Sequence, residues 1–157
     1  MGWISVAIGA IDELRKILIS LSAKSKSTNV HKKLIIRELR DNLKKYINVF
    51  KNKLSIDLLI DNISNIEITN AIRDDFNFDK LKKGTISEDL IKEPRNRKYI
   101  GWTATKLINK IDEKIEELKS LKLLNNGTIT NLLKTKINLM LSNQFYRMKL
   151  LARFINE

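Results

Sequence analysis

Cysteine is absent from the chain. That one absence excludes disulfides, thiolate zinc sites, iron–sulfur ligation and cysteine nucleophiles together. It also agrees with a reducing cytoplasm, the expected location. Proline occurs once and glycine five times. A β-sandwich draws on both for its many tight turns, whereas long helices do without them, so the scarcity points to helix. Sparse glycine also leaves no Walker loop and no GxGxxG turn for cradling phosphates.

Histidine is equally scarce. The lone His31 cannot build a two-histidine metal site, and beside Lys32 and Lys33 it has no evident acid or nucleophile as partner. The small helical ribonucleases of the HEPN type require a histidine four to six residues after an arginine. Here the nearest preceding arginine is Arg15, so that resemblance fails. Three carboxylate pairs (Asp74–Asp75, Glu88–Asp89 and Asp57/Asp61) have the chemistry for a hard cation. No calcium-loop pattern accompanies them, and Asp57/Asp61 has the spacing of an ordinary solvated pair one helical turn apart. No catalytic residue, metal ligand, cofactor or small-molecule substrate is therefore assigned.

No long hydrophobic run is present. The opening "MGWISVAIGAIDELRKILISL" is apolar from Trp3 to Ile11 and then broken by Asp12, Glu13, Arg15 and Lys16. A spanning helix needs about 20 apolar residues, and a secretion signal would carry positive charge ahead of the apolar stretch; neither is expected. Wound as a helix at about 100° per residue, the segment places its apolar residues over roughly 220°. A surface helix buries a stripe little more than about 100° wide. Two readings follow. The helix lies centrally in its own bundle, or one side of it meets something else, with Trp3, Ile4, Ala7, Ile11, Leu14 and Leu18 as the face for a protein partner or a membrane surface. Arg15 inside that arc counts against the membrane.

What the chain does contain is enough for one globular domain: 157 residues, 43% of them apolar. Thirty Lys and Arg outweigh eighteen acids, for a net charge of +12. Such an excess suits a polyanion, either nucleic acid or an anionic membrane. Twenty-two of the thirty cations are lysine, however, and the chain is crowded with Asn and Ile. AT-rich codons encode that same trio, so base composition is a second source of the charge. The excess is uneven: +6 over residues 1–50, −2 over 51–94 and +8 over 95–157.

Helical spacing is strong in three further segments. Ile35, Ile36, Leu39, Leu43, Tyr46, Ile47 and Phe50 recur at three and four, after a Ser/Thr/Asn cluster that offers an N-cap, and Arg37 is placed to pair with Asp41. Leu107, Ile108, Ile111, Ile115, Leu118 and Leu121 form a second stripe, stopped by "NNG", where Gly127 suits a left-handed cap. The third runs from about Asn131 nearly to the end, with Thr128 or Thr130 as its cap and with Leu133, Ile137, Leu141, Phe145, Met148, Leu151 and Ile155 among its apolar residues. Residues 54–94 read as short helices and turns, with Ser55 as one cap, a break at Gly84 and a boundary at Pro94. The expected fold is all-α: one domain (1–157) with three long helices, an apolar N-terminal helix (1–21) and a short-helix insert (54–94).

"RNRKYIGWTATKL" (95–107) is the one stretch that mixes cations with aromatics. Arg95, Arg97, Lys98 and Lys106 would track phosphates while Tyr99 and Trp102 accept bases, a single-strand site. A packing explanation competes. With Thr103 as N-cap, Trp102 and Leu107 have the spacing of a hydrophobic staple, which turns Trp102 inward. The basic faces of the last two helices would extend such a site.

The phrases "IIRELRDNLKKY", "AIRDDFNFDKLKKGTI" and "KYIGWTATKLINKIDEKIEELK" in this order, over about residues 30–120, resemble a loose group of small bacterial helical proteins. None of the phrases is a catalytic signature. The resemblance implies an all-helical bacterial accessory protein, of the kind carried with mobile-element or phage-defence genes. Together these observations lead to a non-catalytic interaction protein that binds a larger protein or itself. Nucleic-acid binding is the alternative, and peripheral membrane attachment the third.

Overall fold

Asn29 starts the helix that the three-and-four spacing predicts. Its side chain accepts from the Lys32 N–H at 3.1 Å, and the helix runs from Val30 to Lys51. In the computed structural model, which describes residues 11–129 and 131–157, this is the second of six α-helices. They are α1 (Ile11–Lys24), α2 (Val30–Lys51), α3 (Ile56–Asn62), α4 (Ile66–Arg73), α5 (Ala104–Leu124) and α6 (Asn131–Asn156). Three 3-10 segments, Phe78–Lys80, Glu88–Leu90 and Pro94–Tyr99, join α4 to α5. The fold is all-α, with no strand among the described residues.

The caps behave as residue chemistry requires. Ser55 accepts from the Asp57 N–H and opens α3, and Thr103 accepts from the Lys106 N–H and opens α5. At the other end of α5 the left-handed closing position falls on Asn126 (φ +59°), and the next residue, Gly127 at φ +77°, donates its N–H to the Lys122 carbonyl. Thr130 lies outside the described residues. The Arg37–Asp41 pair does not form; Asp41 instead bonds the neighbouring Arg40 at 3.2 Å.

Among the described residues the central element is α6. From Leu141 to Ile155 every residue except Asn143 is buried. One side packs on α5, another on α1 and α2, and the last on the 3-10 segments before α5. The backbone of this helix is pinned where neighbours cross it. The Tyr46 hydroxyl donates to the Leu141 carbonyl at 3.0 Å, and the Asn96 amide donates to the Tyr146 carbonyl at 3.1 Å. The Gln144 amide donates in turn to the Ile111 carbonyl on α5. α1 presents an ordinary stripe: Leu14, Ile17 and Leu21 are buried against α2 and α6, while Ile19 points outward.

Candidate functional site

Pro94 fixes its own φ and starts the 3-10 turn that runs to Tyr99. In such a turn residues three apart lie over one another. Asn96 and Tyr99 therefore share one edge, and that edge is buried. The Tyr99 hydroxyl accepts from Arg147 Nε at 2.8 Å, and its ring meets Trp102 edge-on at 4.8 Å. Trp102 is half-buried against the core and Leu107 fully buried, as the packing explanation requires. The aromatic half of the expected single-strand site is thus part of the core.

The four cations of that site diverge. Arg95 Nη1 donates to Ser142 Oγ and Asn143 Oδ1 on α6, with its guanidinium 4.5 Å from the Tyr146 ring centre. Arg97 pairs with Glu88 at 3.1 Å. Lys98 and Lys106 stay exposed, over the rings of Tyr99 and Trp102 respectively. These residues anchor a turn. They do not converge on a common ligand.

The cations of the last two helices divide. Arg147, Lys149 and Arg153 on α6 are buried, as is Lys122 on α5, whereas Lys134 and Lys136 on α6 stay exposed. Lys149 Nζ lies 3.6 Å from Glu13 and 3.5 Å from Glu93; Arg153 bonds Glu93 at 2.8 Å and also Glu13. This cluster of four charges ties α1 and the segment before Pro94 to α6. Burial pushes the Glu13 carboxyl up, but Arg153 and Lys149 outweigh it and hold the group below its ordinary value. Arg147 has no carboxylate within ion-pair distance among the described residues; Tyr99 and the Gln144 side-chain oxygen hold it.

Four of the six acids in the carboxylate pairs are engaged elsewhere, Glu88 by Arg97 among them. Asp57 and Asp61 reach water in part but share one lysine. Lys122 Nζ lies 2.6 Å from Asp61 Oδ2 and 3.6 Å from Asp57 Oδ1, and it donates to the Asp57 carbonyl. Lys119 donates to the Ile60 carbonyl, so two lysines of α5 bind the backbone of α3. Asp74 pairs with His31 at 3.1 Å, which corrects the reading of His31 as partnerless; its ring also rests on Phe76.

Sequence reasoning missed Glu38. Its carboxylate is buried on α2 and accepts from the Glu67 and Ile68 N–H groups and from the Ser64 hydroxyl. It thereby caps α4 from another helix. The side chain of Asn65, in the capping position itself, makes no bond to α4; its amide reaches Asp112 and Glu116 on α5. Burial pushes the Glu38 carboxyl up, and the three donors offset this only in part. A signal was present: Glu38 and Asn42, four apart, both fall in the apolar sector of their helix.

Of the expected partner face, Leu14 is buried in the core, whereas Leu18 is half-buried and borders a surface groove beside Ile47. Trp3, Ile4 and Ala7 lie outside the described residues, as does the side chain of Ile11. Among the described residues no helix is long and apolar enough to cross a membrane. The apolar side chains left in water include Leu123 and Leu124, 77% and 81% exposed, at the end of α5. Leu123 also borders a recess walled by Ile60, Asp61, Lys119, Lys122 and Gly127. No protein-family model, no curated protein and no solved structure matches the chain.

Proposed function

We propose that the chain is a non-catalytic interaction protein whose partner-binding surface is the end of α5. The observation that supports this reading is the pair Leu123–Leu124. They are the most exposed large apolar side chains of the described residues, adjacent in sequence, and bordered by a recess with a charged rim. Interfaces are built this way, with an apolar centre and polar margin. Covering one leucine stabilises a complex by about 1.5–3 kcal/mol. The bacterial accessory role implied by the resemblance belongs to the same proposal.

The test compares the wild-type chain with the Leu123→Ser/Leu124→Ser variant. Light scattering after size exclusion reports self-association, and affinity capture from the native host reports a larger partner. The variant is expected to keep its helical circular dichroism and to lose the oligomer or the captured protein. Equal oligomeric state and equal capture for both chains would reject the end of α5 as the interface.

A further inference from the structure

The net charge of +12 has to reside somewhere on the surface, and the helices share it unequally. α5 holds five lysines against four acids, and Lys110–Glu113 and Lys114–Glu117 pair along its exposed side. α6 hides Arg147, Lys149 and Arg153. α2 differs from both, with seven Lys and Arg against two acids. One of those acids, Glu38, is turned inward to cap α4, and the other, Asp41, is bound to Arg40.

Five of the α2 cations fall in one line. Lys33, Arg37, Arg40, Lys44 and Lys51 are separated by four, three, four and seven residues, which keeps them on a single face. The face is the one opposite Ile35, Leu39, Leu43 and Tyr46, so it points away from the core. At 1.5 Å per residue the row is about 27 Å long. Arg37, Lys44 and Lys51 are exposed and Lys33 half-buried, and none of these four has a carboxylate within ion-pair distance among the described residues. Arg40 is steadied by Asp41 and by Ser22 of α1. Near Lys44 and Lys51 the surface dips into a groove with Leu18 and Ile47 on its floor and Arg15 across it.

We propose that this row is a nucleic-acid backbone site. A linear array of cations matches a linear array of phosphates, which one strand supplies at about 3.4 Å per nucleotide, or roughly eight nucleotides along the row. An anionic membrane would also need a continuous apolar strip beside the cations, and the described residues place apolar side chains only at the two ends of the row, Val30 at one and Leu18 with Ile47 at the other. An acidic helix would need an apolar groove along its whole length, whereas here the apolar floor is confined to one end. Asp41 and Glu67, on the flank away from α1, limit the track to a single backbone. Lysine predominates and no exposed aromatic accompanies it among the described residues, so contact is with phosphate and carries little sequence preference. The site is distinct from the end of α5 and does not depend on the protein-partner reading.

Fluorescence anisotropy with labelled mixed-sequence oligonucleotides, single-stranded and duplex, tests it on the full chain. If all five cations engage, log affinity falls against log salt with a slope of about −3.5 for a single strand and about −4.5 for a duplex. The combined Lys33→Ala, Arg37→Ala, Lys44→Ala and Lys51→Ala variant should lose more than about tenfold in affinity at ~100 mM salt and most of that slope. Its thermal melt should match the wild type. If it fails to fold, the Lys44→Glu/Lys51→Glu pair replaces it, with the same loss expected. Arg97→Ala/Lys98→Ala should bind as the wild type does. The proposal is overturned by unchanged binding in the row variants, by loss in the Arg97/Lys98 variant instead, or by absence of binding at low salt. Tighter binding to polyglutamate or to phosphatidylserine vesicles than to the oligonucleotides would also overturn it.

Discussion

Replacing Arg153 with alanine is expected to lower the unfolding free energy by about 3–5 kcal/mol, the cost of removing one partner from a buried ion cluster. The guanidinium joins Glu93, whose side chain is 17% exposed, to Glu13 on α1. Without it, Glu93 keeps only Lys149 at 3.5 Å, and α1 loses its strongest polar tie to α6. Against a total stability of about 5–15 kcal/mol this is a large fraction. Arg153→Lys should cost less, because one charge remains while the forked geometry is lost. Urea unfolding followed by circular dichroism measures both; an alanine variant within about 1 kcal/mol of wild type would show that the cluster contributes little net stability.

The same cluster predicts a dependence on pH. Glu13 is held below its ordinary value of 4.5 by Arg153 and Lys149. Its contribution is therefore complete above that value and lost as the pH falls through the lower value it has in the folded chain. Glu38 and Asp112 act with the opposite sign, since burial raises both and their protonation at low pH relieves the folded state. Total stability mixes these effects, so the informative quantity is the difference between wild type and Glu13→Gln. That difference should be constant near neutrality and vanish in acid. A difference that grows as the pH falls would contradict the ion-pair account.

Glu38→Ala is the second large effect expected, about 2–4 kcal/mol. Charge-assisted hydrogen bonds contribute about 1.5–3 kcal/mol each, and a lost N-cap about 0.5–2. Three donors meet this carboxylate, and Asn65 cannot replace it, because its amide is committed to α5. The raised Glu38 carboxyl moderates the loss, since the charged form already carries a burial cost. Glu38→Gln keeps one acceptor oxygen and should fall between. Hydrogen exchange locates the change: the first-turn amides of α4 should lose protection in Glu38→Ala well before those of α2. Uniform loss across both helices would mean that the carboxylate supports the fold in general and not the α4 cap.

Local chemistry was legible in residue order alone. Spacings of three and four placed α2, α5 and α6, because a helix brings such residues to one face whatever surrounds it. Asn29, Ser55, Thr103 and Gly127 marked helix ends because their hydrogen bonds and backbone angles act within a few residues. The all-α class followed from these, together with the near absence of proline. Even the inward turn of Trp102 was foreshadowed by its place just before the Thr103 cap.

What residue order did not decide was which charges face water. Lys122 continues the stripe of Leu107, Ile111, Ile115 and Leu118, but only the approach of α3 supplies Asp57, Asp61 and a carbonyl to receive it. Arg153 and Lys149 look like solvent residues until Glu13, 140 and 136 positions away, is brought beside them. Leu14 falls on a face that residue order alone offers to a partner, yet in the folded chain it is buried against the core. Composition counts thirty cations; tertiary contact decides which hold helices together and which remain, as on the outer face of α2, to meet an anion. The physical reason is range: caps and periodicity act over a few residues, whereas burial and ion pairing depend on neighbours that only the folded chain brings near.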